Sequence, residues 1–287
     1  LKIAVTGGKG GVGKSTIASA LIRHYSEAGR ILAADLDVDN PCLSSMLNMN
    51  RPYKVEDAET FKPSIVAAKC IGCHKCVDAC EEHALYGLEG SAPTLYDQLC
   101  SGCGACKLVC PANAIEDDRK VLGQISWYNR GNITLIEGRI TPGEARSPIV
   151  ARQTALAADK EYSTGVYKHL IIDTMPGVAN PVAQALLIAE KVVAVTEPTL
   201  LGIHDIMLTL ELSDYLGKTV GIVINKADIS REHLIKLRKI CAEKDVKIIV
   251  EIPYSRDILF TSVSQPPGDE LKAYVRRIAS WLKNTKP

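Results

Sequence analysis

Charge of either sign is scarcely in excess in this sequence. Across 287 residues the formal balance is +1, which argues against a protein that holds nucleic acid on a broad basic face. Long apolar runs are also missing. None reaches the roughly 18 residues that a membrane span requires, and the longest candidate, VAQALLIAEKVVAVT, is broken by Gln184, Glu190 and Lys191. The first residues lead directly into an apolar strand and a glycine-rich loop, so a cytoplasmic protein is expected. In that compartment thiols stay reduced, which excludes a disulfide framework for the ten cysteines. Eight of the ten fall between positions 70 and 110. That concentration marks a separate unit.

Short apolar segments alternate with helical ones over most of the length. Residues 2–6, 31–35, 132–138, 169–174, 191–196, 219–225 and 246–252 read as strands; 14–29, 181–190, 202–217 and 231–244 read as helices. The pattern predicts an α/β fold with a mostly parallel sheet covered on both faces. The rhythm stops from 62 to 118, dividing the chain into a main domain (1–61 and 119–287) and a small insert. Within the insert, Cys70, Cys73, Cys76 and Cys80 recur 30 positions later as Cys100, Cys103, Cys106 and Cys110, an internal duplication. From 70 to 118 two lysines face eight acidic residues, so this segment carries −6 on a chain that is otherwise basic.

GKGGVGKS, residues 8–15, fits G-x-x-x-x-G-K-[ST] and stands between a strand and a helix, where such a loop cradles phosphate. Gly8, Gly10, Gly11, Val12 and Gly13 offer backbone N–H groups to phosphate oxygens, and Thr16 continues the helix opening. Lys14 is expected at the β and γ phosphates and the Ser15 hydroxyl on Mg²⁺. Lys9 exceeds this motif. With it, K-G-G-x-G-K-[ST] is complete from Lys9 to Ser15, and the chain resembles the MinD/ParA family of deviant Walker A ATPases. In that family the signature lysine reaches the nucleotide of the facing subunit in an ATP-held homodimer. The resemblance implies further that Asp37, in DLD, positions the attacking water, with Asp39 as the alternative. It makes Asp173, ending HLIID, the Mg²⁺ partner. NKAD (225–228) also fits the guanine-reading motif of GTPases. MinD-like proteins instead use an asparagine at this strand end for adenine, so the resemblance favours ATP, with Asn225, Pro253 and Tyr254 around the base.

The repeated C-x₂-C-x₂-C-x₃-C matches the bacterial ferredoxin run for two [4Fe–4S] clusters. Structural zinc more often takes two separated C-x₂-C pairs, leaving a third nearby cysteine surplus. In the ferredoxin run the fourth cysteine serves the other cluster, which implies one set of Cys70, Cys73, Cys76 and Cys110 and another of Cys100, Cys103, Cys106 and Cys80. Glu81, following Cys80 where Pro111 follows Cys110, would make the two potentials differ if it faces its cluster. Cys42 and Cys241 are expected to pack as small hydrophobes.

The whole chain is thus similar to MinD-superfamily ATPases with an inserted ferredoxin domain. The expected function is an ATPase whose nucleotide-driven dimer switch gates electron transfer to a redox partner docked on the acidic insert. The alternatives are an iron–sulfur cluster carrier ATPase and a MinD-like positioning ATPase. The latter uses a C-terminal amphipathic membrane helix, and LKAYVRRIASWLKN (271–284) has a suitable stripe; packing on the sheet is the expected reading of it.

Overall fold

Elements alternate in the order β1 (Lys2–Thr6), α1 (Lys14–Ser26), β2 (Ile31–Asp35), α2 (Leu43–Met46), β3 (Lys54–Ile65), α3 (Lys75–Asp78), β4 (Leu85–Tyr86), β5 (Thr94–Leu95), α4 (Ala105–Leu108) and β6 (Ile115–Arg130). They continue as β7 (Ile133–Ile140), α5 (Ser147–Tyr162), β8 (His169–Asp173), α6 (Asn180–Ile188), β9 (Lys191–Thr196), α7 (Leu200–Tyr215), β10 (Thr219–Asn225), α8 (Arg231–Glu243), β11 (Lys247–Ile252) and α9 (Asp269–Asn284). This computed structural model describes residues 1–256, 258 and 268–285. The chain divides into two units: Leu1–Glu56, Ile125–Arg139 and Ser147–Pro287 make the first, and Asp57–Gln124 with Ile140–Arg146 the second.

The nine-stranded sheet has the order β11-β10-β9-β1-β8-β2-β7-β6-β3. From β11 to β7 every neighbouring pair is parallel. These central strands are buried on both faces, which is why they read as unbroken apolar runs: β9, KVVAVT, has no exposed position. Beyond β7 the sheet changes character. β6 and β7 are neighbours joined only by Gly131 and Asn132, and a two-residue link permits only an antiparallel hairpin. Gly131 takes the left-handed φ of +59° that such a turn demands. The long strands β3 and β6 carry the chain into and out of the second unit, which begins at Asp57 and also takes in residues 140–146.

Helices cover the sheet by single apolar stripes. In α9, Leu271, Val275, Ile278 and Leu282 are buried at the spacing of one helix face and join the core with Ile3, Leu21 and Ile171. The stripe expected either on the sheet or on a membrane is therefore occupied by the protein's own core. No helix among the described residues is long and apolar enough to cross a membrane.

Ile171 lies in β8 between β1 and β2 and has no exposed surface. Ile171→Ala should lower stability by about 2–5 kcal/mol, the usual result of emptying a close-packed site, read as a lower urea midpoint followed by the circular dichroism of the helices.

Candidate functional site

Parallel strands end on one edge, and the loops leaving β1, β2, β8 and β10 meet there around a cavity of about 400 Å³. Its walls include Gly10, Gly11, Gly13, Lys14, Ser15, Thr16, Asp37, Asn225 and Pro253. Tyr254 adds an aromatic wall beside Pro253. Gly8, Lys9 and Val12 do not line this cavity. A Cβ on Gly8 would run into Asp205 of α7, so glycine is required there by helix packing. The Val12 side chain is buried in the core, and its carbonyl accepts a hydrogen bond from Asn225 Nδ2 at 2.8 Å. Asn225, expected at the base, thus has its amide committed to the phosphate loop.

Charge is concentrated below the loop. Asp35 and Asp173 are register partners on adjacent strands, and both are fully buried. Burial and the neighbouring Asp173 hold the Asp35 carboxyl well above the usual carboxylate range. Its oxygens accept from the backbone N–H of Asp37 at 3.1 Å and of Cys42 and Leu43 at 2.9 Å each. Asp35 therefore shapes the loop that carries Asp37, a role not expected for it from the sequence. Burial pushes the Asp173 carboxyl up to about 7, against the opposing pull of the nearby Ser15 hydroxyl, Lys14 and Thr174 N–H, and neither of its buried oxygens meets full hydrogen-bond geometry with a described residue. Such oxygens suit a bound cation or its water.

Lys14 is buried, and desolvation lowers its pKa against the opposing pull of Asp173 and Asp37. Its Nζ donates to the Lys9 carbonyl at 3.0 Å. The Lys9 ammonium is paired with Glu197 in its own chain. Glu197 also holds Lys226 at 2.8 Å, and Lys226 donates to the Gly11 carbonyl at 3.0 Å. Burial raises the Glu197 pKa, but the two lysines outweigh it and the net shift is downward. Asp37 stands at the cavity with its pKa raised by burial, and accepts from Asn40 N–H at 3.3 Å. The Cys42 thiol, pushed up to about 12 by burial, is a protonated packing group at neutral pH. Cys241 is likewise buried among Leu237 and Ile240.

In the second unit the cysteines gather in two crossed sets. Cys70, Cys73, Cys76 and Cys110 line one cavity, and Cys80, Cys100, Cys103 and Cys106 line another. The fourth cysteine of each run has crossed to the other set because the helical turns α3 and α4 carry it away from its own loop. Repetition extends to fine detail. Cys76 and Cys106 are both buried, Cys73 and Cys103 both exposed, and all eight are free thiols. Ala84 N–H donates to Cys80 Sγ and Ala114 N–H to Cys110 Sγ, each at 3.3 Å. Glu81 is exposed but lines the second cavity together with Glu82.

The domain model for the CobQ/CobB/MinD/ParA nucleotide-binding domain matches residues 3–264. The chain belongs to this family. It is 30% identical over 288 residues to protein MJ0579 of Methanocaldococcus jannaschii, covering 98% of this chain and 97% of that one. The septum site-determining protein MinD from Pyrococcus horikoshii, solved with Mg-ADP, shares the fold at a TM-score of 0.62 and 18% identity, over 99% of this chain and 96% of that one. The ferredoxin-type protein NapF of Escherichia coli is 40% identical over 60 residues, 20% of this chain and 37% of that protein. The chain is a MinD-like P-loop protein with a ferredoxin-like insert.

Gly13 has a φ of +100°, and a Cβ there would stand 2.5 Å from Asn225 Nδ2, whereas a Cβ on Gly10 would meet nothing within 4 Å. Gly13→Ala should therefore weaken nucleotide binding at least about tenfold by displacing the Asn225 amide and straining the loop. Gly10→Ala should cost less, with isothermal titration calorimetry of both variants as the comparison.

Proposed function

We propose that this chain is an ATPase whose nucleotide state gates electron transfer through two [4Fe–4S] clusters in its insert. The first part of the reading rests on the P-loop cavity. Ser15 and the buried Asp173 would hold Mg²⁺, which supplies charge neutralisation at the phosphates. Lys14 would leave the Lys9 carbonyl for a phosphate, and Asp37 would orient the water. Asp228, which a guanine-reading site needs, has an oxygen taken by Tyr254 N–H at 2.6 Å, and this favours adenine.

The second part rests on the thiols. Two convergent sets of four unbridged cysteines fit the donor demand of two cubic clusters. Cys76 is pushed upward in pKa and Cys106 to about 11, both chiefly by burial, so metal must bind for these thiols to ionise. When bound, the clusters supply one-electron chemistry. Their burial at Cys76 and Cys106 favours resident clusters over a transferable cargo.

One observation carries the coupling. Ser147 Oγ donates to Asp39 at 2.8 Å, in the loop that follows Asp37. The preceding residue, Arg146, belongs to the second unit and donates to the Cys100 carbonyl at 2.5 Å. A single peptide bond therefore separates a hydrogen bond to the loop carrying Asp37 and Asp39, which in this reading is the nucleotide-responsive switch loop, from one to a cysteine loop. Arg146 is itself fixed by two bonds of 2.6 Å to Glu144, whose carboxyl Arg146 and Lys120 hold down at about 2. Movement of the switch loop on γ-phosphate binding would be delivered to this junction. The family's dimer switch fits the placement of Lys9: Glu197 parks it within its own chain, and Lys226 remains to neutralise Glu197 when Lys9 leaves. The acidic insert suits a basic redox partner.

Ser147→Ala tests the coupling. Reduction of the clusters in the wild-type chain should change the ATP hydrolysis rate several-fold. The variant should hydrolyse ATP within about threefold of the oxidised wild type and lose most of that redox dependence, as followed by phosphate release under anaerobic conditions.

A further inference from the structure

The halves of the insert repeat one another in backbone angle as well as in cysteine spacing. The φ values are +67° at Gly72 and +77° at Gly102, then +50° at His83 and +47° at Asn113. At one left-handed position a glycine is matched by a residue with a side chain. Gly104 has a φ of +77°, and its counterpart 30 residues earlier is His74, at +60°. A residue with a Cβ is disfavoured in that backbone region relative to glycine. The same side chain carries a second burden: His74 Nε2 is buried and has no hydrogen-bond partner among the described residues. Leaving a buried polar group without a partner is unfavourable, because its lost hydration is not replaced. Two unfavourable features in one residue, absent from its repeat, point to a ligand for that nitrogen.

The surroundings identify the ligand. His74 lines the cavity shared by Cys70, Cys73, Cys76 and Cys110. That cavity is small, about 20 Å³, and is lined by His74 and Ile71, where the other half's cavity, about 180 Å³, is lined by Gly104 and Ser101. A group bound by the first four thiols would therefore share its cavity with the His74 side chain. Among the described residues no carboxylate lines this first cavity, whereas Glu81 and Glu82 line the second.

Resting on the iron–sulfur reading above, we propose that His74 donates its Nε2–H to a sulfur of the cluster held by Cys70, Cys73, Cys76 and Cys110. This donor makes that cluster the more easily reduced of the two. An added electron increases the negative charge on the cluster sulfurs, so an N–H donor stabilises the reduced form more than the oxidised one. Glu81 and Glu82 act in the opposite sense at the other site, weakened by their exposure to solvent. A single electron entering the insert then rests on the His74 side.

The sign of the effect separates this role from simple space filling. If His74 only kept water from the cluster, removing it would let solvent stabilise the added charge, and the potential would rise. If it donates a hydrogen bond, removing it makes the potential fall. The test uses the full chain, reconstituted anaerobically with iron and sulfide, with iron content measured first and midpoint potentials then followed by electron paramagnetic resonance during dithionite titration. Cys106→Ser marks which signal belongs to the other cluster. In His74→Gly, which takes the residue of the second half and relieves the backbone, one potential should fall by about 59 mV or more, a tenfold loss in a one-electron equilibrium. The other should stay in place. His74→Gln, which keeps an N–H donor at similar reach, should hold the wild-type value to within about half of that shift. An unchanged or raised potential in His74→Gly, or an equal fall at both clusters, overturns the proposal. A wild-type chain that takes up no iron defeats the iron–sulfur reading itself, and the role of His74 falls with it.

Discussion

Two carboxyl groups stand side by side, in register on neighbouring parallel strands, at the base of the nucleotide cavity: Asp35 and Asp173, both without solvent exposure. Burying like charges together is unfavourable unless each is neutralised or hydrogen-bonded, and the arrangement of the loops follows from how the two are satisfied. Asp35 takes three backbone N–H groups and so folds the chain after β2 into the loop that presents Asp37 and Asp39. Asp173 keeps both oxygens short of full hydrogen-bond geometry with any described residue and lowers the electrostatic cost of burying Lys14 nearby. Structural and chemical roles are thereby divided between two identical side chains. A cation arriving with nucleotide would relieve the second without disturbing the first.

The same logic of unequal use of equal parts runs through the insert. Its two halves share cysteine spacing, burial, left-handed turns and sulfur-directed N–H bonds. They differ in what fills the space beside the thiols. Residues 140–146 belong to this unit although they follow β6 and much of β7, and the pairing of Glu144 with Arg146 and Lys120 holds them there. Because Ser147 follows at once and bonds to Asp39, the electrostatic anchoring of one short segment gives the switch loop a covalent neighbour in the cysteine-rich unit.

Much of this was legible in the sequence, for identifiable reasons. β1, β2, β9 and β10 occupy the residues expected of them, since strands buried on both faces leave apolar runs with little ambiguity. The P-loop and cysteine runs are local motifs whose spacing reports their geometry. β3 and β6 are hard to read as strands because KVEDAETFKPSI and IEDDRK are rich in charge and only partly buried; β3 lies at the edge of the sheet, where such charge is common. Glu197 was hidden for another reason: its ties to Lys9 and Lys226 join distant segments, and nothing in EPTLLG announces them. Asp35 was overlooked beside Asp37 because both lie in one DLD triplet, and only the fold shows which points inward. His74 is visible within its cysteine loop, and aligning the two halves sets HK opposite GA; its buried, unpartnered nitrogen is visible only in the fold.

The central claim is that nucleotide and electron are coupled, and coupling must act in both directions. The most direct measurement is the pair of cluster midpoint potentials in the anaerobic full chain, taken with Mg-ADP and again with a non-hydrolysable ATP analogue, together with nucleotide affinity in the oxidised and reduced states. The account predicts that the ATP analogue shifts at least one potential, and that reduction changes the analogue-to-ADP affinity ratio by the matching factor. Potentials and affinities that are both indifferent to the other ligand would contradict it, leaving the insert as cargo on an independent ATPase.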